Sequence, residues 1–212
     1  MLPTDNTAVR LPLLALRGVV VFPKTVASFD VARKKSVNAL RVAMDTDQTL
    51  FVATQKDVYV EEPEAKDLYE IGTVVRIKQV LKVNDNVIKV LVEGLYRAKR
   101  LTFKNGTQYL VADVLAQEEK PLQNRQVYKE SLLRRIKQEF NDYAAVLRGI
   151  APDVLMTVEN SEDIGFLCDF IAYNIPAPFD DKQYVLEQTS VSKRAKILLE
   201  LLRKEKEIGE ID

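Results

Sequence analysis

The chain has 212 residues, of which 47% are aliphatic or aromatic and 29% charged, the make-up of a soluble globular protein with room for one large domain or two small ones. Its 31 basic and 31 acidic side chains cancel, which removes any whole-chain charge argument for nucleic acid or a membrane, and the absence of histidine excludes His-based triads, most zinc sites and the commonest general base. A single cysteine, Cys168, excludes an internal disulfide and fits a reducing compartment.

The opening MLPTDNTAVR lacks the apolar segment of a signal peptide, and no run approaches the ~20 apolar residues that cross a bilayer, so no membrane role and a cytoplasmic location are expected. Residues 1–9 read as a short mobile lead. In RLPLLALRGVVVFPKTVASFDV the apolar runs are broken by Pro12, Arg17-Gly18 and Pro23-Lys24, which predicts short strands at 13–16, 19–22 and 26–31 with prolines at starts and edges. Val37, Leu40, Ala43 and Met44 share one helical face over 34–44, and 50–54 reads as a brief buried strand before the acidic loop VYVEEPEAKD.

Residues 72–115 then read as a β-meander, GTVVRIKQVLKV, VIKVLVEGLYRAKRLTF and TQYLVADVL. The turns between them are Asn84-Asp85-Asn86 and Asn105-Gly106, the second a strong hairpin signal because both turn residues need positive φ. Val75, Ile77, Leu81 and Val83 share one period-two face and Arg76, Lys78 and Lys82 the other, the pattern of a half-buried strand. Gly94 inside the longest run predicts a bulge where the strand kinks and changes partner.

Beyond Pro121 the pattern becomes helical. Tyr128, Leu132, Ile136, Phe140, Tyr143 and Leu147 recur at spacings of three and four, predicting a long helix that ends near Gly149 and Pro152. Ser161, followed by Glu162 and Asp163, reads as the cap of a helix to about 173, and Asp180 as the start of another carrying Tyr184, Val185 and Leu186 inward. A last helix from Ser190 or Ser192 keeps Ile197, Leu201, Ile208 and Ile211 on a seam, with no stop signal before the sequence ends, which predicts that the helix continues into further protein. The expected layout is α+β, with a β-rich domain over 1–118 and an all-helical bundle over 119–212.

Motifs for chemistry are absent. Neither GxxxxGK[ST] nor GxGxxG occurs, and Cys168 lies on an apolar helix face with nothing to stabilise a thiolate. The carboxylate pairs Glu61-Glu62, Glu118-Glu119, Glu162-Asp163 and Asp180-Asp181 read as loop solvation or first-turn helix acids. The Ser-Lys neighbours Lys34-Lys35-Ser36 and Ser192-Lys193 lie on charged turns unsuited to a dyad.

Two surfaces remain. Between Gly72 and Lys104 there are eight basic residues against Asp85 and Glu93. Arg76, Lys78, Lys82, Lys89, Lys99 and Arg100, with Tyr96 and Phe103 nearby, form a candidate phosphate-tracking sheet face whose plainer reading is a solvated strand surface. The segment from Leu11 to Pro23 is more apolar than short broken strands need; most of it is expected in the core, and any exposed part would bind other proteins.

Taken together, RLPLLALRGVVVFP, DVARKKSVNALRVAM, LFVATQKD, DLYEIGTVVRIKQVLKV and IKVLVEGLYRAKR resemble the amino-terminal domain of bacterial Lon proteases, ATP-dependent AAA+ serine proteases. In that resemblance Pro12, Leu16, Arg17 and Pro23 form one signature and Gly72, Glu93, Gly94 and Arg97 a second. Gly18 and the Asn84-Asp85-Asn86 turn depart from the family pattern. The likeness implies a PUA-like β-domain, an antiparallel meander or small barrel with one helix, followed by a helical bundle whose last helix leads to an ATPase module. It implies that this chain is not itself an enzyme and holds no cofactor, ATP, magnesium and the Ser-Lys peptidase belonging downstream. It also implies homohexamers and unfolded or damaged protein as the partner. On that reading Leu14, Val21, Phe22, Pro23 and Val26 are the expected substrate-binding surface, with Arg17 and Arg97 as structural donors; a nucleic-acid-binding module using the basic face is the alternative.

Overall fold

The computed structural model describes residues 2, 6–123 and 125–211. The front of the lead expected over 1–9 lies outside them, and the first strand already begins at Val9. The chain divides into two compact units, Met1–Glu118 and Glu119–Asp212.

In the first unit the order is β1 (Val9–Leu16), β2 (Val26–Val31), α1 (Lys34–Met44), β3 (Thr49–Thr54), a 3-10 turn (Ala65–Asp67), β4 (Ile71–Lys82), β5 (Ile88–Asn105) and β6 (Leu110–Ala116). The sheet runs β2-β5-β4-β3-β1-β6, and β6 pairs again with β5, so five strands close into a small barrel with β2 flanking the first half of β5. The sheet is mixed rather than antiparallel throughout. β1 and β3 run parallel, Leu13 opposite Phe51, with α1 in the connection between them. Alternation fills the interior with Leu11, Leu13, Ala15, Phe51, Ala53, Val74, Ala112 and Val114. Leu14, Leu16, Leu50 and Val52, of the opposite parity, are buried as well because α1 lies on β1 and β3 and offers Ala39, Leu40 and Ala43. Strands covered on both faces read as continuous apolar runs, as LPLLAL and LFVAT do. Pro12 sits inside β1, not at its start. β3 first pairs at Leu13, so at Pro12 the strand has β6 alone beside it and the missing N–H has an open flank.

The strand expected over 19–22 does not form. Its carbonyls are taken by side chains instead of a ladder: Thr54 Oγ1 donates to Val19 O, Thr73 Oγ1 to Val21 O and Thr25 Oγ1 to Phe22 O, each at 2.6 Å. Leu81 and Val83 also depart from the expected inward face. A register shift between Ile77 and Gln79 breaks the alternation, and both side chains are exposed.

The second unit contains α2 (Gln126–Leu147), α3 (Pro152–Asn160), α4 (Ile164–Asn174), α5 (Phe179–Leu186) and α6 (Val191–Ile211). Ile136, Phe140, Tyr143, Leu167, Ile171, Leu198 and Leu202 form its buried apolar faces. α2 stops at Leu147, close to the expected end near Gly149, and Pro152 beyond it also opens α3, a helix not expected, because its absent N–H falls where the first turn leaves donors unpaired anyway. The cap of α4 is Asp163, accepting from Phe166 N at 3.1 Å, and not Ser161. Tyr184 points outward while Gln183, Val185 and Leu186 of α5 are buried, and Ile208 and Ile211 point outward because the buried stripe of α6 runs through Leu198, Leu202 and Glu205. Arg194 ties the unit together. Fully buried, it donates to Glu119 Oε1 at 2.6 Å and to Gln188 O at 2.7 Å, with Asp169 at 3.6 Å.

Candidate functional site

β4 and β5 outrun the barrel. The register of β3 with β4 ends at Thr49 opposite Arg76, so β2, residues 78–82 of β4 and residues 88–93 of β5 make a three-stranded arm. Its rows follow from the registers. On one face stand Val26, Glu93 and Arg76, then Ser28, Leu91 and Gln79, then Asp30, Lys89 and Leu81. The other face carries Ala27, Val92 and Ile77, then Phe29, Val90 and Val80. Ala27, Phe29, Ile77, Val90 and Val92 are buried, whereas Val26 and Leu81 are 52% and 50% exposed and Leu91 is half-buried. Val83, on the same face as Leu81, extends this apolar surface to the hairpin tip.

Gly94 is where the arm joins the barrel. Val74 opposes Tyr96 while Val75 opposes Gly94, so Leu95 is the extra residue of a bulge, as the lone glycine predicts. On one side of it β5 pairs with β2; beyond it, from Ala98, β5 pairs with β6. Lys24 N donates to Gly94 O at 2.8 Å and Gly94 N to Thr25 O at 2.9 Å. A Cβ on Gly94 would lie 2.0 Å from Phe22 O, so only glycine lets the 22–25 backbone cross there.

Of the five residues expected to form an apolar binding surface, Leu14, Val21, Phe22 and Pro23 are buried, and Val26 alone of the five is exposed. Leu14 faces α1, and 21–23 are drawn inward by the hydrogen bonds to Thr73, Thr25 and Gly94. Leu81 and Val83, exposed on the arm, are hidden in the sequence because an unbroken alternation assigns them inward. The expected structural residues take recognisable positions. Arg17 donates to Val60 O at 3.2 Å; buried Arg97 stands opposite Thr73 and accepts Gln117 N at its carbonyl; Glu93 pairs with Lys78 at 2.9 Å. At Gly72 a Cβ would meet Val52 O at 2.3 Å.

The basic residues do not form one cationic groove. Besides Lys78 with Glu93, Lys82 lies 3.6 Å from Asp85 and Lys99 4.0 Å from Glu70. Arg100 donates to Ala65 O at 3.0 Å, stacks over Phe103, and has its pKa lowered by burial, with Glu70 opposing. Arg76 and Lys89 stand on the outer face of the arm, separated from Lys99 and Arg100 by the bulge.

Elsewhere in this unit a cleft of about 560 Å³ is lined by Arg17, Arg33, Lys34, Lys35, Glu61 and Glu62 among others. Arg33 donates there to Ala15 O at 2.8 Å and to Glu61 O at 3.2 Å; burial and the neighbouring Arg17 lower its pKa. The cleft mixes both signs of charge without an acid-base pair. Ser36 beside it is buried while Lys34 is exposed, and Cys168 is buried in α4. Among the described residues no three carboxylate or thiol ligands gather, and no helix is long and apolar enough to cross a membrane.

Comparison with known proteins places these features. Residues 10–204 match the family model described as the ATP-dependent protease La (LON) substrate-binding domain. The chain is 40% identical over 202 residues to a Lon protease of Brevibacillus choshinensis, covering 95% of this chain and 26% of that protein. It is 34% identical over 212 residues to the Lon protease of Escherichia coli, covering 100% of this chain and 27% of that one. The chain thus spans about a quarter of the length of the curated relatives it matches. Among solved structures, the N-terminal domain of a Mycobacterium avium complex Lon protease superposes with a TM-score of 0.74 at 19% identity, covering 92% of this chain and 98% of that one. A Lon N-terminal domain protein from Xanthomonas campestris gives 0.64 at 16%, covering 90% and 97%; the fold is shared.

Proposed function

The chain belongs to the substrate-binding domain family of the ATP-dependent protease La (LON), and from that premise we propose that it engages unfolded or damaged protein segments for a Lon-type protease through the exposed apolar face of the β2-β5-β4 arm. The observation that carries this reading is the placement of Val26, Leu91, Leu81 and Val83 at the surface of a ladder-fixed sheet. Burying one such side chain contributes ~1.5–3 kcal/mol, enough to retain a segment without trapping it. In a homohexamer, six such surfaces would hold one chain by multivalency, and the ATP-driven motor and Ser-Lys peptidase of the cytoplasmic parent would act on it. On this reading ATP and magnesium belong to that motor, and the sequence here carries neither phosphate-cradling loop motif.

The test is binding of a fluorescein-labelled, reduced and carboxymethylated protein to the chain at low and high salt. Binding that persists in high salt, and weakens by about tenfold or more in Val26→Ser with Leu81→Ser, supports the reading, since two partly buried apolar side chains are lost. Binding unchanged by the two substitutions sinks it. Short RNA in the same assay tests the nucleic-acid alternative, which needs steep salt dependence and loss on Arg76→Glu with Lys89→Glu.

A further inference from the structure

β2 is an edge strand. Among the described residues it has β5 on one side and no sheet neighbour on the other. One hydrogen bond decides which of its backbone groups are unpaired. Gly94 N donates to Thr25 O at 2.9 Å, so Thr25 turns its carbonyl toward β5, its N–H being held by Phe22 O. Direction alternates along an antiparallel ladder, so Ala27, Phe29 and Val31 also bond to β5, while Val26, Ser28 and Asp30 turn N–H and C=O to the open side. These last three are the exposed residues of the strand and the first three the buried ones. The edge therefore presents donor and acceptor pairs at every second residue, with no ladder partner for them among the described residues.

Soluble proteins normally blunt such edges with lysine, proline or a bulge. The arm's other open edge, residues 78–82 of β4, is protected in this way, by Lys78, Lys82 and the register shift between Ile77 and Gln79. β2 has no such protection. VASFDV contains no lysine or proline, and its register with β5 runs unshifted from Val26 to Val31.

We infer that the open edge of β2 receives an extended segment of the unfolded polypeptide as an added strand, hydrogen-bonded to the backbone of Val26, Ser28 and Asp30. This rests on the capture reading above and specifies its mode. Pairing through backbone groups is indifferent to side-chain identity, which suits a site that takes segments of many sequences. Selectivity comes from the exposed row: an apolar residue fits beside Val26, and a lysine or arginine beside Asp30. A second copy of this chain fits less well. Antiparallel pairing of β2 with itself about Ser28 sets Val26 against Asp30 and leaves both carboxylates uncompensated.

Ser28→Pro tests the inference. Its N–H points away from β5, so proline leaves the native ladder intact while removing a donor and obstructing the edge. With the carboxymethylated probe, Ser28→Pro is expected to weaken binding about tenfold and Ser28→Ala not at all. In the unmodified chain, bound probe is expected to slow amide exchange at Val26, Ser28 and Asp30 and to leave Ala27 and Phe29 as they were. Wild-type affinity in a folded Ser28→Pro chain overturns edge pairing while leaving the capture reading standing; failure of the unmodified chain to bind the probe removes both. Should Ser28→Pro fail to fold, unslowed exchange at Val26, Ser28 and Asp30 overturns the inference by itself. A dimer dissociated by Ser28→Pro with probe binding intact overturns it in favour of a second copy.

Discussion

In the β unit, residues far apart in sequence are held by ladders: Leu13 stands opposite both Phe51 and Leu110, and Ala98 opposite Ala116. The helical unit spends its backbone bonds inside its helices. Apart from a bridge between Lys120 and Ser190, the long-range fixing of the 119–121 segment falls to Arg194, whose guanidinium joins Glu119, Gln188 and Asp169. The two units should therefore fail differently. A closed barrel is intolerant of added atoms where backbones cross, whereas a helical core built on a buried cation is intolerant of losing it.

The largest effect is expected at that cation. Arg194→Leu removes the cation 3.6 Å from Asp169, whose side chain is 4% exposed, and breaking such a buried pair typically costs ~3–5 kcal/mol. Glu119→Gln should cost ~1 kcal/mol, because the Glu119 side chain is 44% exposed and keeps water as a partner. Urea unfolding followed by amide exchange separates the units. Protection should fall in α4 and α6 after Arg194→Leu and stay unchanged in β5. Equal loss in both would break the distinction drawn between them.

Gly94→Ala probes the barrel in the opposite sense, by adding an atom. The new Cβ meets Phe22 O and Pro23 Cα, both backbone, so the 22–25 segment has to move, at ~1–3 kcal/mol. The expected signature is a lower midpoint with faster exchange at Lys24 and in β2, while α6 keeps its protection. Gly72→Ala, facing Val52 O and the Phe51 ring, should behave alike.

Much of this was legible in the residues, and the gaps have physical causes. Helix α1 matches its expected bounds, although its buried face is Ser36, Ala39, Leu40 and Ala43 and Met44 of the expected face is exposed. The bulge at Gly94 and the exchange of β2 for β6 follow from one glycine in a long strand. Residues 19–22 misled because a buried loop whose carbonyls are satisfied by threonine hydroxyls is as apolar as a strand. The same cause moved the expected binding surface: Leu14, Val21, Phe22 and Pro23 are apolar because they are core. Leu81 escaped notice because a register shift, which no local pattern announces, turns it outward. Pro152 was ambiguous for a different reason, since proline both ends one helix and begins the next.

Besides Arg194 and Asp169 the helical unit buries a third charge-bearing group, Glu205 on α6, 8% exposed. Burial raises its pKa; the adjacent Lys204 opposes the rise and Asp181 adds to it. Nearby, the buried Tyr143 hydroxyl has no hydrogen-bond partner and is pushed up to about 12, first by burial and then by Glu205. A carboxyl whose folded pKa lies above its unfolded value, ~4.3, binds its proton more tightly when folded. Its contribution to stability is therefore full below the unfolded value and lost as pH rises through the folded one. Glu205→Gln should raise the melting temperature by a few degrees at neutral pH, with the gain vanishing as pH falls toward ~4. Melting curves across that range decide it, and a gain constant with pH would assign the effect to packing. Arg194 is kept because its partners are present, whereas Glu205 is a cost the helical unit carries at neutral pH.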